Sequence, residues 1–118
     1  MDTAIKTNSD NPPYIQAVID EMVRRIVTLC DPDRIILFGS HARGTAGPDS
    51  DVDFLVVMPL PSTKRETRLK IRRALSGMGL SKDVIVVTPQ EMDRFRQCAG
   101  TIVRAAAQEG KVLYERAA

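Results

Sequence analysis

Apolar residues recur along this chain in two kinds of pattern, continuous runs and helical stripes. Continuous runs rich in Ile, Val, Leu and Phe, each bounded by turn residues, predict buried strands at 35–38, 52–58 and 84–87. Apolar residues three and four positions apart predict an amphipathic helix over 14–30. The alternation of strands and helices indicates an α/β fold with a small mixed sheet flanked by helices.

Polar residues mark where further helices begin. Thr63 with Glu66, and Thr88 with Glu91, have the spacing of a capping box, in which each side chain bonds the other residue's backbone N–H. The helix that follows Thr63 is expected to turn Leu69, Ala74, Leu75 and Met78 inward. The remaining predicted elements are three helices and a final edge strand, over 63–77, 88–98, 101–108 and 111–114.

Length and composition indicate one small domain. A chain of 118 residues is long enough for one hydrophobic core but not for two. A content of 43% hydrophobic and 27% charged residues is typical of a globular protein. Residues 1–12 are polar and have no periodicity, which predicts a flexible N-terminal lead-in, and residues 13–118 are expected to form the domain.

Charge, aromatic content and cysteines narrow the possible functions. The net charge of +2, with no Trp, two Tyr and three Phe, argues against a nucleic-acid-binding protein that stacks bases on aromatic rings. Cys30 and Cys98 match no metal or redox spacing, so both are expected to be reduced and buried. The chain contains neither an apolar signal segment nor a run of transmembrane length. We therefore expect a cytoplasmic protein without membrane contact.

The helix predicted over 63–77 has a strongly basic face, opposed only by Glu66. Such a face is either a solvated helix surface or a docking surface for an acidic partner or RNA. Its cationic residues are Lys64, Arg65, Arg68, Lys70, Arg72 and Arg73.

The chemistry of the chain is concentrated between the first two predicted strands. Asp51 and Asp53 lie two positions apart where the second strand begins, so both carboxylates project to one face of the sheet. Neighbouring carboxylates repel unless a cation lies between them, and Mg²⁺ prefers such hard oxygen ligands. Gly39 allows a ligand to approach the backbone, and Ser40 offers a hydroxyl and an N–H at a predicted helix start.

This stretch resembles the signature of the nucleotidyltransferase superfamily related to DNA polymerase beta, and especially its minimal, MNT-type branch. The signature is Gly-Ser, ten residues and Asp-x-Asp, and here ten residues separate Ser40 from Asp51. The fuller form also fits, with Ala42, Arg43, Gly44 and Ser50 in place. The resemblance covers nearly the whole chain and implies the two-layer nucleotidyltransferase fold.

The resemblance also implies an activity, the transfer of a nucleotidyl group from a nucleoside triphosphate with two Mg²⁺ ions. Asp51 and Asp53 would hold both ions. A third carboxylate would come from Asp83, which starts the third strand, if the two strands are neighbours. Asp83 would then bind the ion near the acceptor hydroxyl and accept its proton. The alternative for Asp83 is an exposed residue at a strand start.

The phosphates of ATP would lie on the other side of this turn. Gly39, Ser40 and Arg43 are expected to hold the β- and γ-phosphates. A guanidinium can bond two phosphate oxygens at once, although Arg43 could instead be a solvated loop cation. His41 has no cysteine or histidine cluster around it in the sequence, so a metal-ligand role is not expected.

The MNT-type resemblance further implies a partner. These proteins resemble antitoxins of toxin–antitoxin pairs whose toxins are HEPN-type RNases, and several are thought to transfer AMP from ATP to a toxin tyrosine. The sequence is thus interpreted as a protein adenylyltransferase that forms a hetero-oligomer with its cognate toxin. Two alternatives stay open: a non-catalytic antitoxin that acts by binding, and a transferase that modifies a small molecule such as an aminoglycoside after pairing with another chain.

Overall fold

A single mixed sheet organises the chain, and the computed structural model describes it through residues 4–5 and 11–117. Its five strands are β1 (Ala4–Ile5), β2 (Arg34–Phe38), β3 (Val52–Val57), β4 (Lys82–Val87) and β5 (Lys111–Glu115). The helices are α1 (Pro13–Cys30), α2 (Ser40–Arg43), α3 (Lys64–Ala74), α4 (Pro89–Phe95) and α5 (Ile102–Glu109).

The strands lie in the order β1-β5-β2-β3-β4. β3 and β4 are parallel and are joined through α3, as a parallel pair requires a crossover, whereas the other neighbouring strands are antiparallel. The predicted α/β class and small mixed sheet flanked by helices are confirmed.

Apolar side chains cover both faces of this sheet. On the first face, Phe54 of β3 packs in a core with Ile19 and Met22 of α1, Ile71 of α3 and Leu75, which caps the end of α3. On the second face, a smaller core joins β2 and β3 to α4 and α5. Because side chains alternate along a strand, Asp53, which precedes Phe54, faces the second side of the sheet. The candidate chemistry therefore lies on the face that the short helices cover.

The predicted helix starts are confirmed. The hydroxyl of Thr63 accepts a hydrogen bond from the N–H of Glu66, and the side chain of Glu66 bonds back to the backbone of Thr63. Thr88 and Glu91 form the same reciprocal pair at the start of α4. Each box satisfies backbone donors that a helix start would leave unpaired.

The N-terminal prediction is wrong in part. Ala4 and Ile5 belong to the predicted flexible lead-in, yet they form β1 and pair with β5 opposite Glu115 and Tyr114. β5 is therefore not the edge strand that its position at the end of the chain suggested. A strand of two residues is too short to show a periodicity in the sequence. Its stability comes from pairing with a distant strand. The rest of the lead-in up to residue 10 lies outside the described residues.

Two burial predictions also fail. The inward stripe of α3 is formed by Thr67 and Ile71 and continues four positions on to Leu75, the C-cap, whereas Leu69 falls outside that stripe and is 37% exposed. Both cysteines are free, as predicted, but Cys98 is exposed and Cys30 only partly buried. Across the described part of the chain, no helix has the length and apolar character needed to cross a membrane.

Candidate functional site

The strand order brings the three candidate carboxylates together. β3 and β4 are parallel neighbours, and their register pairs Asp53 directly with Asp83. Partners on neighbouring strands lie about 5 Å apart and point to the same face. Asp51 immediately precedes β3, two positions before Asp53. The predicted proximity of the third strand to the second is thus confirmed, and all three residues lie at one end of the sheet.

Gly39 lies against Asp53. β2 ends at Phe38, whose register partner is Asp53, and Gly39 follows with φ 76° and ψ −158°, a backbone region that is essentially restricted to glycine. A Cβ atom added to Gly39 would lie 2.2 Å from the Asp53 Oδ2 atom. Both the backbone conformation and the neighbouring carboxylate therefore require glycine at this position.

The electrostatics of the cluster are dominated by negative charge. Burial raises the pKa of the Asp53 carboxyl group, and the charges of Asp83 and Asp51 raise it further. His41 and Arg43 oppose this rise in the pKa of Asp53, with smaller effects. The repulsion between the carboxylates is thus not fully balanced by the neighbouring side chains.

The turn after β2 supplies a hydroxyl and a cation. Ala42 and Arg43 donate their backbone N–H groups to the Gly39 carbonyl, each at 3.1 Å, which closes the first turn of α2. The Ser40 hydroxyl makes no hydrogen bond to any described residue. Arg43 is exposed, and its guanidinium Nη1 lies 3.5 Å from Glu109 Oε1 on α5. Arg43 therefore lies near the carboxylate cluster, but its guanidinium is already paired with Glu109, which was not among the predicted site residues.

A buried polar cross-link supports this turn. His41 is 3% exposed, its Nδ1 atom lies 3.2 Å from the Asn11 Oδ1 atom, and its Nε2 atom lies 3.4 Å from the Ser50 carbonyl oxygen. Asn11 also donates a hydrogen bond from Nδ2 to the His41 backbone carbonyl at 3.1 Å. These contacts tie the segment before α1 to the residue that precedes Asp51. Asn11, assigned to the lead-in from the sequence, is thus a supporting residue of the site.

The donor set fits Mg²⁺ as part of a site that the substrate completes. Within residues 4–5 and 11–117, no group of three or more His, Cys, Asp or Glu side chains could hold a metal ion. Mg²⁺ in nucleotide sites usually takes one or two carboxylates, with phosphate oxygens and water supplying the other ligands. Asp51, Asp53 and Asp83 offer such oxygens, and their mutual repulsion is what a divalent cation would relieve.

Comparison with known proteins agrees with this geometry. Residues 18–113 match the nucleotidyltransferase domain family. A Methanocaldococcus jannaschii protein named "Putative protein adenylyltransferase MJ0141" is 37% identical over 71 residues, which are 58% of this chain and 71% of that protein.

Two solved structures share the fold. One is described as a toxin–antitoxin with AMP-PNP and has a TM-score of 0.59 at 20% identity, covering 85% of this chain and 73% of that one. A mutant of the toxin–antitoxin MntA-HpeT has a TM-score of 0.62 at 16% identity, covering 82% of this chain and 73% of that one. The match over 18–113 includes β2, β3 and β4, and therefore Gly39, Ser40 and the three carboxylates. The family predicted from the Gly-Ser and Asp-x-Asp register is thereby confirmed, and the chain belongs to the nucleotidyltransferase domain family as a nucleotidyltransferase enzyme.

Proposed function

We propose that this chain transfers AMP from ATP, in the presence of Mg²⁺, to a hydroxyl group of a protein partner. The single observation that carries the proposal is the register of β3 and β4, which pairs Asp53 with Asp83 beside Gly39. The named protein adenylyltransferase among its relatives supports ATP as the donor and a protein as the acceptor.

The proposed roles follow from where each residue stands. Asp51 and Asp53 would hold two Mg²⁺ ions together with the phosphates, and Asp83 would contribute a further carboxylate to one of them. Mg²⁺, when bound, neutralises phosphate charge and polarises the oxygens that attack and leave. Asp83 is exposed at the edge of the cluster, which leaves its carboxylate accessible to an acceptor group.

The reaction is an in-line displacement at the α-phosphorus. The acceptor oxygen forms a bond to this phosphorus while the bond from the phosphorus to the oxygen that bridges to the β-phosphate breaks, and pyrophosphate leaves with the bonding electron pair. Asp83 accepts the hydroxyl proton. The Gly39 backbone and the Ser40 hydroxyl hold the β- and γ-phosphates, because Gly39 lies directly beside Asp53 and the hydroxyl of the next residue makes no hydrogen bond to any described residue.

Arg43 binds a phosphate of ATP by releasing the carboxylate of Glu109. Its exposed ion pair with Glu109 is worth about 1 kcal/mol or less, so a phosphate can replace the carboxylate at small cost. A phosphate oxygen beside the guanidinium also offers a bidentate contact.

We further propose that the acceptor is a tyrosine of a cognate HEPN-type RNase toxin and that the chain acts as its antitoxin in a hetero-oligomer. The described toxin–antitoxin complexes of similar fold support this pairing. The partner to test is a small helical protein with an Arg-x₄-His motif encoded beside this chain.

Labelled ATP tests the proposal directly. The purified chain is incubated with Mg²⁺, ATP labelled at the α-phosphate and the neighbouring protein, and incorporation is followed by gel and located by mass spectrometry. Label on a tyrosine of the partner, absent with the Asp51→Asn variant, is the expected result. Neutralisation of the RNase without label, and equally by Asp51→Asn, would instead identify a non-catalytic antitoxin. Label on a small acceptor such as an aminoglycoside would identify a small-molecule transferase.

A further inference from the structure

Two cavities follow one side of α3. The first, of about 280 Å³, is lined by Arg65 and Arg68 together with Ile85–Val87 of β4. The second, of about 550 Å³, is lined by Arg72 and Lys82 and includes Asp51. Arg65, Arg68 and Arg72 lie three, four and seven positions apart, so they form one stripe along the helix. α3 covers the first face of the sheet beside the edge strand β4, and the second cavity connects the stripe with the carboxylate cluster at Asp51.

The charges of this stripe are not balanced inside the protein. Arg65, Arg68 and Arg72 are exposed, and none of them forms an ion pair with any residue that the structure describes. Lys64, the neighbour of Arg65, differs because its Nζ atom lies 2.7 Å from Glu91 Oε2. Lys82 adds a further cation at the end of the stripe nearest the carboxylates. The three arginines and Lys82 are called the basic groove below.

We propose that the basic groove binds an acidic, extended segment of the protein acceptor and delivers its hydroxyl residue to Asp83. This inference rests on the proposed transfer of AMP to a protein and specifies which protein segments the enzyme accepts. Charge complementarity identifies the occupant, because four cations that line two cavities along the same helix attract carboxylates.

A polypeptide fits this groove better than RNA does. RNA carries a phosphate at every nucleotide and would bring further negative charge to a cluster whose proposed Mg²⁺ ions are already matched by the phosphates of ATP. An acidic peptide can place carboxylates along α3 and a neutral hydroxyl residue at the cluster. Neither cavity is lined by a tyrosine, tryptophan or phenylalanine on which a base could stack.

The dimensions of the groove set the spacing of the acidic residues. Arg65 and Arg72 are separated by about 10 Å along the helix axis, at a rise of 1.5 Å per residue. An extended peptide spans that distance in about three residues. The acidic residues of the bound segment are therefore expected on one side of its hydroxyl residue, within about six positions of it.

Binding of defined peptides tests the groove independently of the chemistry. Three fluorescent peptides carry one tyrosine flanked on both sides by Glu, Gln or Lys, and affinity is measured by polarisation. An exposed ion pair contributes about twofold, so the Glu peptide is expected to bind about eightfold tighter than the Gln peptide through three pairs. The double variant Arg68→Gln/Arg72→Gln is expected to lose about fourfold for the Glu peptide only.

A matched control removes the same charge elsewhere. Arg24→Gln/Arg94→Gln also lowers the net charge by two, at exposed positions on α1 and α4, and is expected to leave peptide binding unchanged. Equal affinity for the Glu and Gln peptides, or equal loss in both double variants, would overturn the inference. A single-stranded RNA oligonucleotide that binds more tightly than the Glu peptide and depends on Arg68 and Arg72 would overturn it in favour of nucleic acid.

Transfer of label separates this inference from the proposed function. If no acceptor is ever labelled, the proposed function fails. The comparison of the Glu and Gln peptides still tests whether the basic groove binds an acidic segment. If the partner protein is labelled equally by wild type and Arg68→Gln/Arg72→Gln, the proposed function stands and the groove has no role in acceptor recognition.

Discussion

Gly39→Ala is the substitution whose effect the structure defines most sharply. A Cβ atom at this position would lie 2.2 Å from Asp53 Oδ2 and 3.2 Å from its Cγ atom. Oxygen and carbon that are not bonded do not approach closer than about 3 Å, so the carboxylate must move by about 1 Å. The atom that moves belongs to the proposed Mg²⁺ ligand, so the change reaches the chemistry through Asp53 as well as through the backbone proposed to hold the phosphates.

Two costs can be separated. A residue other than glycine in this backbone region costs about 1–3 kcal/mol of stability. A misplacement of about 1 Å in a catalytic group costs about a hundredfold in rate. Gly77→Ala is the matched control, because Gly77 also has a positive φ, of 77°, but a Cβ atom there would meet nothing within 4 Å. Gly77→Ala should therefore show a backbone cost while keeping the transfer rate.

The assay combines urea denaturation with single-turnover AMP transfer on both variants. We expect both to be destabilised and Gly39→Ala alone to lose about two orders of magnitude in rate. A folded Gly39→Ala protein that transfers AMP within a few-fold of wild type would refute the contact between Gly39 and Asp53 as a requirement of the site.

Three further substitutions test neighbouring parts of the site. Asp53→Asn should abolish transfer and, without Mg²⁺, raise stability at neutral pH. Because the pKa of Asp53 is higher in the folded chain than in the unfolded one, Asp53 adds stability as the pH falls through its folded pKa towards about 4. Glu21 and Glu91, whose pKa values are lowered, act in the opposite direction in both proteins, so urea denaturation across that range should show wild type gaining stability relative to the variant. Asp83→Asn should lower kcat by far more than it weakens ATP binding, which calorimetry and single-turnover rates would show; a rate within a few-fold of wild type would remove Asp83 from the mechanism. Asn11→Ala should cost about 1–3 kcal/mol in urea denaturation, because it removes both hydrogen bonds that Asn11 makes with buried His41; an unchanged midpoint would contradict the cross-link.

The carboxylate pair was predictable because its determinants are local. The apolar run after Asp51 forms β3, so Asp53 lies in the strand and Asp51 directly before it, and the charge of Asp51 raises the pKa of Asp53. Placing Asp83 beside Asp53 also required the order of the strands, because that order decides whether β4 lies beside β3. The family signature supplied that order, which the alternation of strands and helices alone left open.

The supporting contacts were not predictable, because they join distant parts of the chain. Asn11 and His41 are 30 positions apart, and Arg43 and Glu109 are 66 positions apart. No periodicity or spacing encodes such pairs, since each depends on where two elements end in space. The same reason explains why β1, which pairs with the opposite end of the chain, was assigned to a flexible segment.

The fold separates the residues that destabilise the candidate site from the contacts that stabilise the chain. Gly39 in a glycine-only conformation and the mutually repelling carboxylates both reduce stability at one end of the sheet, where β2 ends and β3 and β4 begin. The capping boxes of α3 and α4 and the core around Phe54 and Ile71 lie outside that cluster and carry no proposed chemistry. The buried bonds between Asn11 and His41 hold the turn that leads to Asp51. None of these stabilising contacts neutralises the cluster, and its uncompensated negative charge is what the proposed Mg²⁺ ions would balance before the phosphates of ATP bind.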